Sequence, residues 1–252
     1  MSPRRAALAV VLLVSAVRAD AQDVLHVYGP GGPAPAMKEA AEAFGKASGA
    51  RVEVTAGPTD TWIAGARENA DVIFSGSEYM MTDFVKAMGG RIDEPSILPL
   101  YLRPSAILVR PGNPRRIKDL PDLARPGLKL LVVQGSGQTG MWEDMAGKQG
   151  DLGLVRAMRR NIVLHADNSA VAKQAWIDRP ELDAWIIYNI WQVANPKLAD
   201  LVSVSRNHVV YRDSGVALTT RGKHHPLGAK FVAFLQSKKG AAIFKRWGWI
   251  TP

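Results

Sequence analysis

Short apolar runs alternate along the chain with longer stretches whose apolar residues recur every three or four positions. This predicts layered α/β structure rather than a β-sandwich. Residues 24–28 form the first expected strand. Glycines and prolines turn the chain at 29–33, and Pro35 opens a helix carrying Met37, Ala40, Ala41, Phe44 and Ala47 on one face, closed by Gly49. Residues 51–55 alternate as a strand, 62–67 read as a short helix and 70–74 as a third strand. Ser75–Ser77 then opens a helix with Met80, Met81, Phe84 and Val85 along its inner stripe.

From residue 100 the pattern changes. Residues 101–110 read as one long extended stretch broken only by Pro104, and Pro111, Pro114, Pro121 and Pro126 punctuate the connection that follows. An apolar strand at 129–133 leads through a glycine-rich turn, 135–140, into a helix at 141–148. Residues 152–160, 161–165, 169–177 and 183–187 continue as helix, strand, helix and strand. Extended stretches at 208–211 and 215–220 and helices at 226–236 and 239–247 complete the chain; no tandem repeat is visible. Two extended crossings, near 100–108 and 206–216, flank the middle block. The expected architecture is an α/β clamp of two lobes, 22–103 plus 209–252 and 104–208, joined by two hinge strands around an inter-lobe cleft.

The N-terminus stands apart from this pattern. Arg4 and Arg5 precede an uncharged run at 6–17, and Ala19-Asp20-Ala21 supplies a small-x-small cleavage pattern. The run is well short of the roughly 20 apolar residues that span a bilayer. Residues 1–21 therefore read as a cleavable signal peptide, with the mature chain starting near Gln22 and a periplasmic destination. Beyond the arginine pair nothing matches a twin-arginine signal, so general secretion is expected.

Composition narrows the chemistry. The 252 residues include no cysteine, which excludes disulfide scaffolds, thiolate metal sites and thiol nucleophiles. The net charge of +9 becomes +7 once Arg4, Arg5, Arg18 and Asp20 leave with the signal. A basic surface suits anionic small molecules or a negatively charged cell surface, although on charge alone general solubility is the commoner reason for it. No Lys/Arg run interleaves with aromatics, so no nucleic-acid partner is expected. The histidines His26, His165, His208, His224 and His225 lack metal-ligand spacing. Asp213-Ser214 has no Gly-x-Ser-x-Gly elbow beside it, and Glu143 and Asp144 suit a helix N-terminus without any acid–base role. No catalysis, metal or cofactor is expected.

Four strand-to-helix junctions share one chemistry: Gly31-Gly32, Ser75-Gly76-Ser77, Gly137-Gln138-Thr139-Gly140 and Asn168-Ser169. Thr55–Thr59 adds a fifth loop of the same character. Backbone amides and small hydroxyl or amide side chains at helix N-termini suit an anion. The same residue types cap helices everywhere, but four such junctions in register along two lobes favour a site. Gly135–Gly140 also fits G-x-G-x-x-G. The next acid beyond its following strand, Asp167, lies about 30 residues on where a dinucleotide fold places it nearer 20, so the glycines suit close approach of an oxyanion instead. None of the four junctions contains Lys or Arg, which predicts a shell of amides, hydroxyls and the Gln138 side chain. The Tyr188 phenol, at the end of the last middle strand, is placed to reach the cleft.

The chain resembles the type II periplasmic solute-binding proteins of the molybdate- and sulfate-binding-like branch. More narrowly, it is similar to the accessory colonization factor AcfC family and related adhesin-like surface antigens. The resemblance rests on Tyr28-Gly-Pro-Gly-Gly-Pro-Ala-Pro35, Thr55-Ala-Gly-Pro58, Ala70-Asp-Val-Ile-Phe-Ser-Gly76, Gly137-Gln-Thr-Gly140 with Glu143-Asp144, and Phe231–Ser237 running to Phe244–Trp249. It implies capture of a small anion, carboxylate- or phosphate-bearing, without catalysis. Gly31, Gly32, Thr59, Ser75, Ser77, Gln138, Thr139, Gly140, Asn168 and Tyr188 are the residues it places around the cleft. A membrane permease is an implied partner, and a homodimer is compatible. Two alternatives stay open: a surface adhesin with a vestigial cleft, and a periplasmic hydrolase of phosphorylated compounds.

Overall fold

Every expected strand–helix alternation is present in the computed structural model, which describes residues 24–252; the expected signal peptide lies outside the described residues. The first unit is β1 (Val24–Gly29), α1 (Ala34–Ser48), β2 (Arg51–Ala56), α2 (Ile63–Asn69), β3 (Val72–Phe74) and α3 (Glu78–Met88). A twelve-residue strand, β4 (Leu98–Val109), leaves it. The second unit is β5 (Leu130–Val133), α4 (Met141–Gly147), α5 (Leu152–Asn161), β6 (Ile162–Ala166), α6 (Ser169–Asp178), β7 (Ala184–Tyr188), α7 (Ile190–Ala194) and β8 (Asp200–Ser203). The chain returns along β9 (Tyr211–Leu218) to α8 (Thr220–His224), α9 (Gly228–Gln236) and α10 (Lys238–Arg246).

The strands join in the order β2-β1-β3-β9-β4-β7-β5-β6, with β8 beside β4. β1 is parallel to β2 and β3, and β5 is parallel to β6 and β7, so the two units repeat one topology in mirrored positions along the sheet. β4 runs antiparallel to its neighbours and changes partner midway. Leu98 to Pro104 pair with β9, whereas Ser105 to Val109 pair with β7. Arg103 and Pro104 therefore occupy the crossing between halves. Of the extended run expected at 208–211 only Tyr211 is strand, with 208–210 leading into it, and β9 then runs unbroken into the stretch expected at 215–220, because Arg212 and Asp213 continue the ladder opposite Arg103 and Leu102. β8 was not foreseen: Asp200, Leu201 and Ser203 are exposed, so no alternation marks it, and only its ladder with Ala106–Val109 makes it a strand.

The C-terminal helices return to the first unit as the pattern requires. Phe44 of α1 lies edge-on to Phe231 and Phe234 of α9, with ring centroids 5.3 and 5.6 Å apart. The Tyr101 hydroxyl donates to the Leu235 carbonyl, and Trp247 Nε1 to Glu39. A buried Phe contributes about 1.5–3 kcal/mol, so this trio anchors α9 firmly on α1. Between the halves, Arg212 of β9 bridges to Asp144 of α4 at 2.7 Å, and the Lys148 ammonium donates to the Val209 carbonyl.

Candidate anion-binding site

A cavity of about 100 Å³ lies between the halves, beyond the carboxyl ends of the parallel strands. The loop after β1 contributes Gly31 and Gly32, that after β2 Pro58 and Thr59, and that after β3 Gly76 with Met80 of α3. From the other half come Gly137 and Gln138 after β5, Asn168 and Ser169 after β6, and Trp191 of α7 after β7. Arg103 supplies the floor from the crossing strand.

Arg103 is the charged side chain of this wall and is 4% exposed. Its Nη2 donates to the Gly76 carbonyl at 2.5 Å, and Cζ stands 3.9 Å from the centre of the Tyr188 ring and 5.2 Å from that of Trp249. Nε has no partner, and among the described residues no carboxylate forms an ion pair with this guanidinium. Burial pulls its pKa down to about 10, opposed by Tyr188 and Asp213, so it is a cation at neutral pH. Glycine makes the room: a Cβ on Gly76 would stand 2.7 Å from Nη2, and one on Gly32 3.1 Å from Nη1. A desolvated cation costs several kcal/mol unless an anion meets it.

The expectation of a shell without cations is thus corrected. The junction loops do lack Lys and Arg, but the crossing strand β4 brings Arg103 into the cavity that they line. The pattern held a signal: Tyr101, Arg103 and Ser105 are buried on one side of β4 while Leu102 faces solvent, placing a charge where an apolar residue belongs. Trp191, which the sequence places near the end of the last middle strand, is not among the expected site residues, because the short α7 was not expected and aromatic residues ordinarily fill cores.

Of the expected site residues, Gly31, Gly32, Thr59, Gln138 and Asn168 line the cavity. Ser75 and Ser77 lie one layer behind it. Ser75 Oγ accepts from Gly215 N, and Ser77 Oγ caps α3 by accepting from Met80 N at 3.1 Å. Asn168 caps α6 with its Oδ1 while lining the cavity. Thr139 is exposed, and Gly140 adopts φ 72° at the start of α4, bordering a neighbouring cavity with Glu143 and His165. The Tyr188 phenol does not reach into the cleft; it is fully buried and donates to the Gly137 carbonyl at 2.9 Å, its ring lying against Arg103. Ser77→Ala should therefore cost about 1 kcal/mol of stability through the lost cap and leave anion affinity unchanged, as urea unfolding and calorimetric titration will read.

Six buried side-chain polar atoms lack partners among the described residues, and Arg103 Nε, Gln138 Oε1 and Trp191 Nε1 belong to this one wall. The Gln138 amide donates to Ser169 Oγ at 2.6 Å, so its position is fixed while its carbonyl is unmet. Buried polar groups are otherwise satisfied in folded proteins, so a cluster of orphans around a cavity points to a ligand that completes them. Among the described residues no cluster of three or more His, Asp or Glu could hold a metal, and no helix is long and apolar enough to cross a membrane.

A family model described as bacterial extracellular solute-binding protein matches residues 25–250. PEB3 of Campylobacter jejuni, solved with L-phospholactate bound, is 33% identical over 90% of this chain and 100% of its own, with a TM-score of 0.85. The sulfate-binding protein SubI of Mycobacterium tuberculosis H37Rv is 19% identical over 90% of this chain and 86% of its own, with a TM-score of 0.72. The periplasmic molybdate-binding protein of Azotobacter vinelandii is 17% identical over 90% and 99%, with a TM-score of 0.68. At these identities the last two share the fold. A search of curated proteins found no match.

Proposed function

The chain belongs to the bacterial extracellular solute-binding protein family, and on that premise we propose that it is an exported receptor capturing a small organic or phosphorylated acid in this cleft. The observation that carries the reading is Arg103: a buried guanidinium without a carboxylate partner, at the point where loops of both halves meet. Tyr188 beneath it and the Gly76 carbonyl beside it fix the guanidinium plane before any ligand arrives. A preorganised cation spends less ordering entropy on binding. The kinship with L-phospholactate-bound PEB3 supports an acid that carries both carbon and phosphate. The reading includes a periplasmic location after removal of residues 1–21, delivery to a membrane permease, capture without turnover, and the narrower kinship with the accessory colonization factor AcfC family.

The lobes we assign are 22–103 plus 209–252 and 104–208, closing by rotation about the β4 and β9 crossings. Support comes from the contact of Gly137 with the opposite half, where a Cβ would stand 2.9 Å from Ser77 Oγ. A thermal-shift screen of the mature chain against L-phospholactate, phosphoglycerate, citrate, sulfate and molybdate should raise the melting temperature with one or more organic or phosphorylated acids and reduce the scattering radius. A screen in which no anion stabilises the protein would sink the reading. Stabilisation by sulfate or molybdate alone would move the ligand to a bare oxyanion.

A further inference from the structure

Two side-chain donors, one of them the unpartnered indole N–H of Trp191, converge on one glycine. The position a Cβ would take on Gly32 lies 3.1 Å from Arg103 Nη1 and 3.7 Å from Trp191 Nε1. Gly32 stands next to Pro33, the N-terminal cap position of α1, a fifteen-residue helix whose N-terminus has no side-chain cap. A cation, an indole N–H and the positive end of a long helix thus share one spot, and the glycine leaves it open. The far wall, at Gln138, Asn168 and Ser169, is polar and uncharged.

We propose that Gly32, Arg103 and Trp191 form a seat for one terminal oxyanion group, with Trp191 as a specificity-determining donor, and that the rest of the ligand extends toward Gln138. This rests on the capture reading above and divides its cleft into two unequal ends. The more highly charged group belongs at the seat, because Coulomb attraction to Arg103 and to the helix end grows with its charge, whereas the Gln138 end offers hydrogen bonds alone. Arg103 holds its place through Gly76 and Tyr188, so the indole N–H is the donor that sets the orientation of the acid group. Phenylalanine at 191 would keep an aromatic ring beside Trp185, whose centroid is 6.0 Å away, and remove that donor.

The probes are inorganic phosphate, which can occupy the seat alone, and L-phospholactate, which spans both ends. Calorimetric titration of Trp191→Phe should show both weakened by the same factor, roughly tenfold for the loss of one hydrogen bond to a charged group. Gly32→Ala should weaken both by at least as much, since the new methyl enters the seat. Gln138→Leu should weaken L-phospholactate and leave phosphate unchanged. Melting curves without ligand verify that each variant is folded. Unchanged affinity for both probes in Trp191→Phe overturns the seat, as does equal loss of phosphate and L-phospholactate in Gln138→Leu. If the unaltered protein binds neither probe nor any acid of the screen, the capture reading itself fails.

Discussion

Arg103→Met should abolish anion capture while leaving the protein as stable as before or more so. Each hydrogen bond from a charged group is worth about 1.5–3 kcal/mol, so losing two from the guanidinium lowers affinity by roughly a hundredfold to ten-thousandfold. The stability side follows from the same burial. Arg103 is desolvated without a carboxylate partner, and its contact with the Tyr188 ring returns only about 0.5–2 kcal/mol of a penalty of several kcal/mol. Methionine fills similar volume with no charge to bury. Arg103→Lys keeps a positive charge but loses the planar fork that engages Gly76 on one side and the cleft on the other, and should recover little of the affinity. Because burial holds this pKa at about 10, affinity in the unaltered protein should be flat through neutral pH and fall only as the pH approaches that value and the cation is lost. Titration calorimetry gives the affinities and urea unfolding the stabilities. A methionine variant binding L-phospholactate within a few-fold of the unaltered protein would show that backbone amides alone hold the acid.

Gly135→Ala should destabilise the protein and impair binding together, although Gly135 does not line the cavity. A Cβ there would stand 2.0 Å from the Asp167 carbonyl oxygen, a backbone atom that cannot swing aside. The clash lies between the turn after β5 and the turn after β6, next to the Gln134 N–H donating to the Ala166 carbonyl. Forcing these apart exceeds ordinary overpacking of about 1–3 kcal/mol and separates Gln138 from Ser169, two residues that share the cleft wall. Gly140→Ala is the matched control five residues on. Nothing lies within 4 Å of its added methyl, so only the left-handed φ of 72° opposes it, costing about 1–2 kcal/mol without moving the wall. Unfolding midpoints and anion affinities of the pair should therefore separate clearly. Equal, mild effects on both properties would mean that the two turns move independently.

These expectations resolve the glycine pattern 135–140 physically. The spacing suits a nucleotide loop on paper, yet the first glycine exists to admit a carbonyl from the neighbouring turn. Gly137 admits the opposite half of the protein, and Gly140 turns the chain into α4. One short motif carries three unrelated backbone requirements, and the sequence shows only their sum.

The sequence by itself determined the order and period of the elements apart from the short α7, β8 and α8, the two crossings and the loops that meet at the cleft. It could do so because burial of one helical stripe or one strand is written locally, at spacings of 3.6 and 2 residues. The positions of Gly31, Gly32, Thr59, Gln138 and Asn168 follow directly, since loops after parallel strands lie at one end of a sheet. Only the tertiary structure decided that β6-β5-β7 mirrors β2-β1-β3, because strand order is set by pairings between distant residues and leaves no repeat in the chain. It alone turned Ser77 into a cap and Tyr188 into a support, since a hydroxyl serves whichever partner packing brings first. It alone gave the cleft its charge. Arg103 lies 71 residues after Gly32 and 88 before Trp191 in the chain, and the three meet because β4 passes between the two halves where their loops converge.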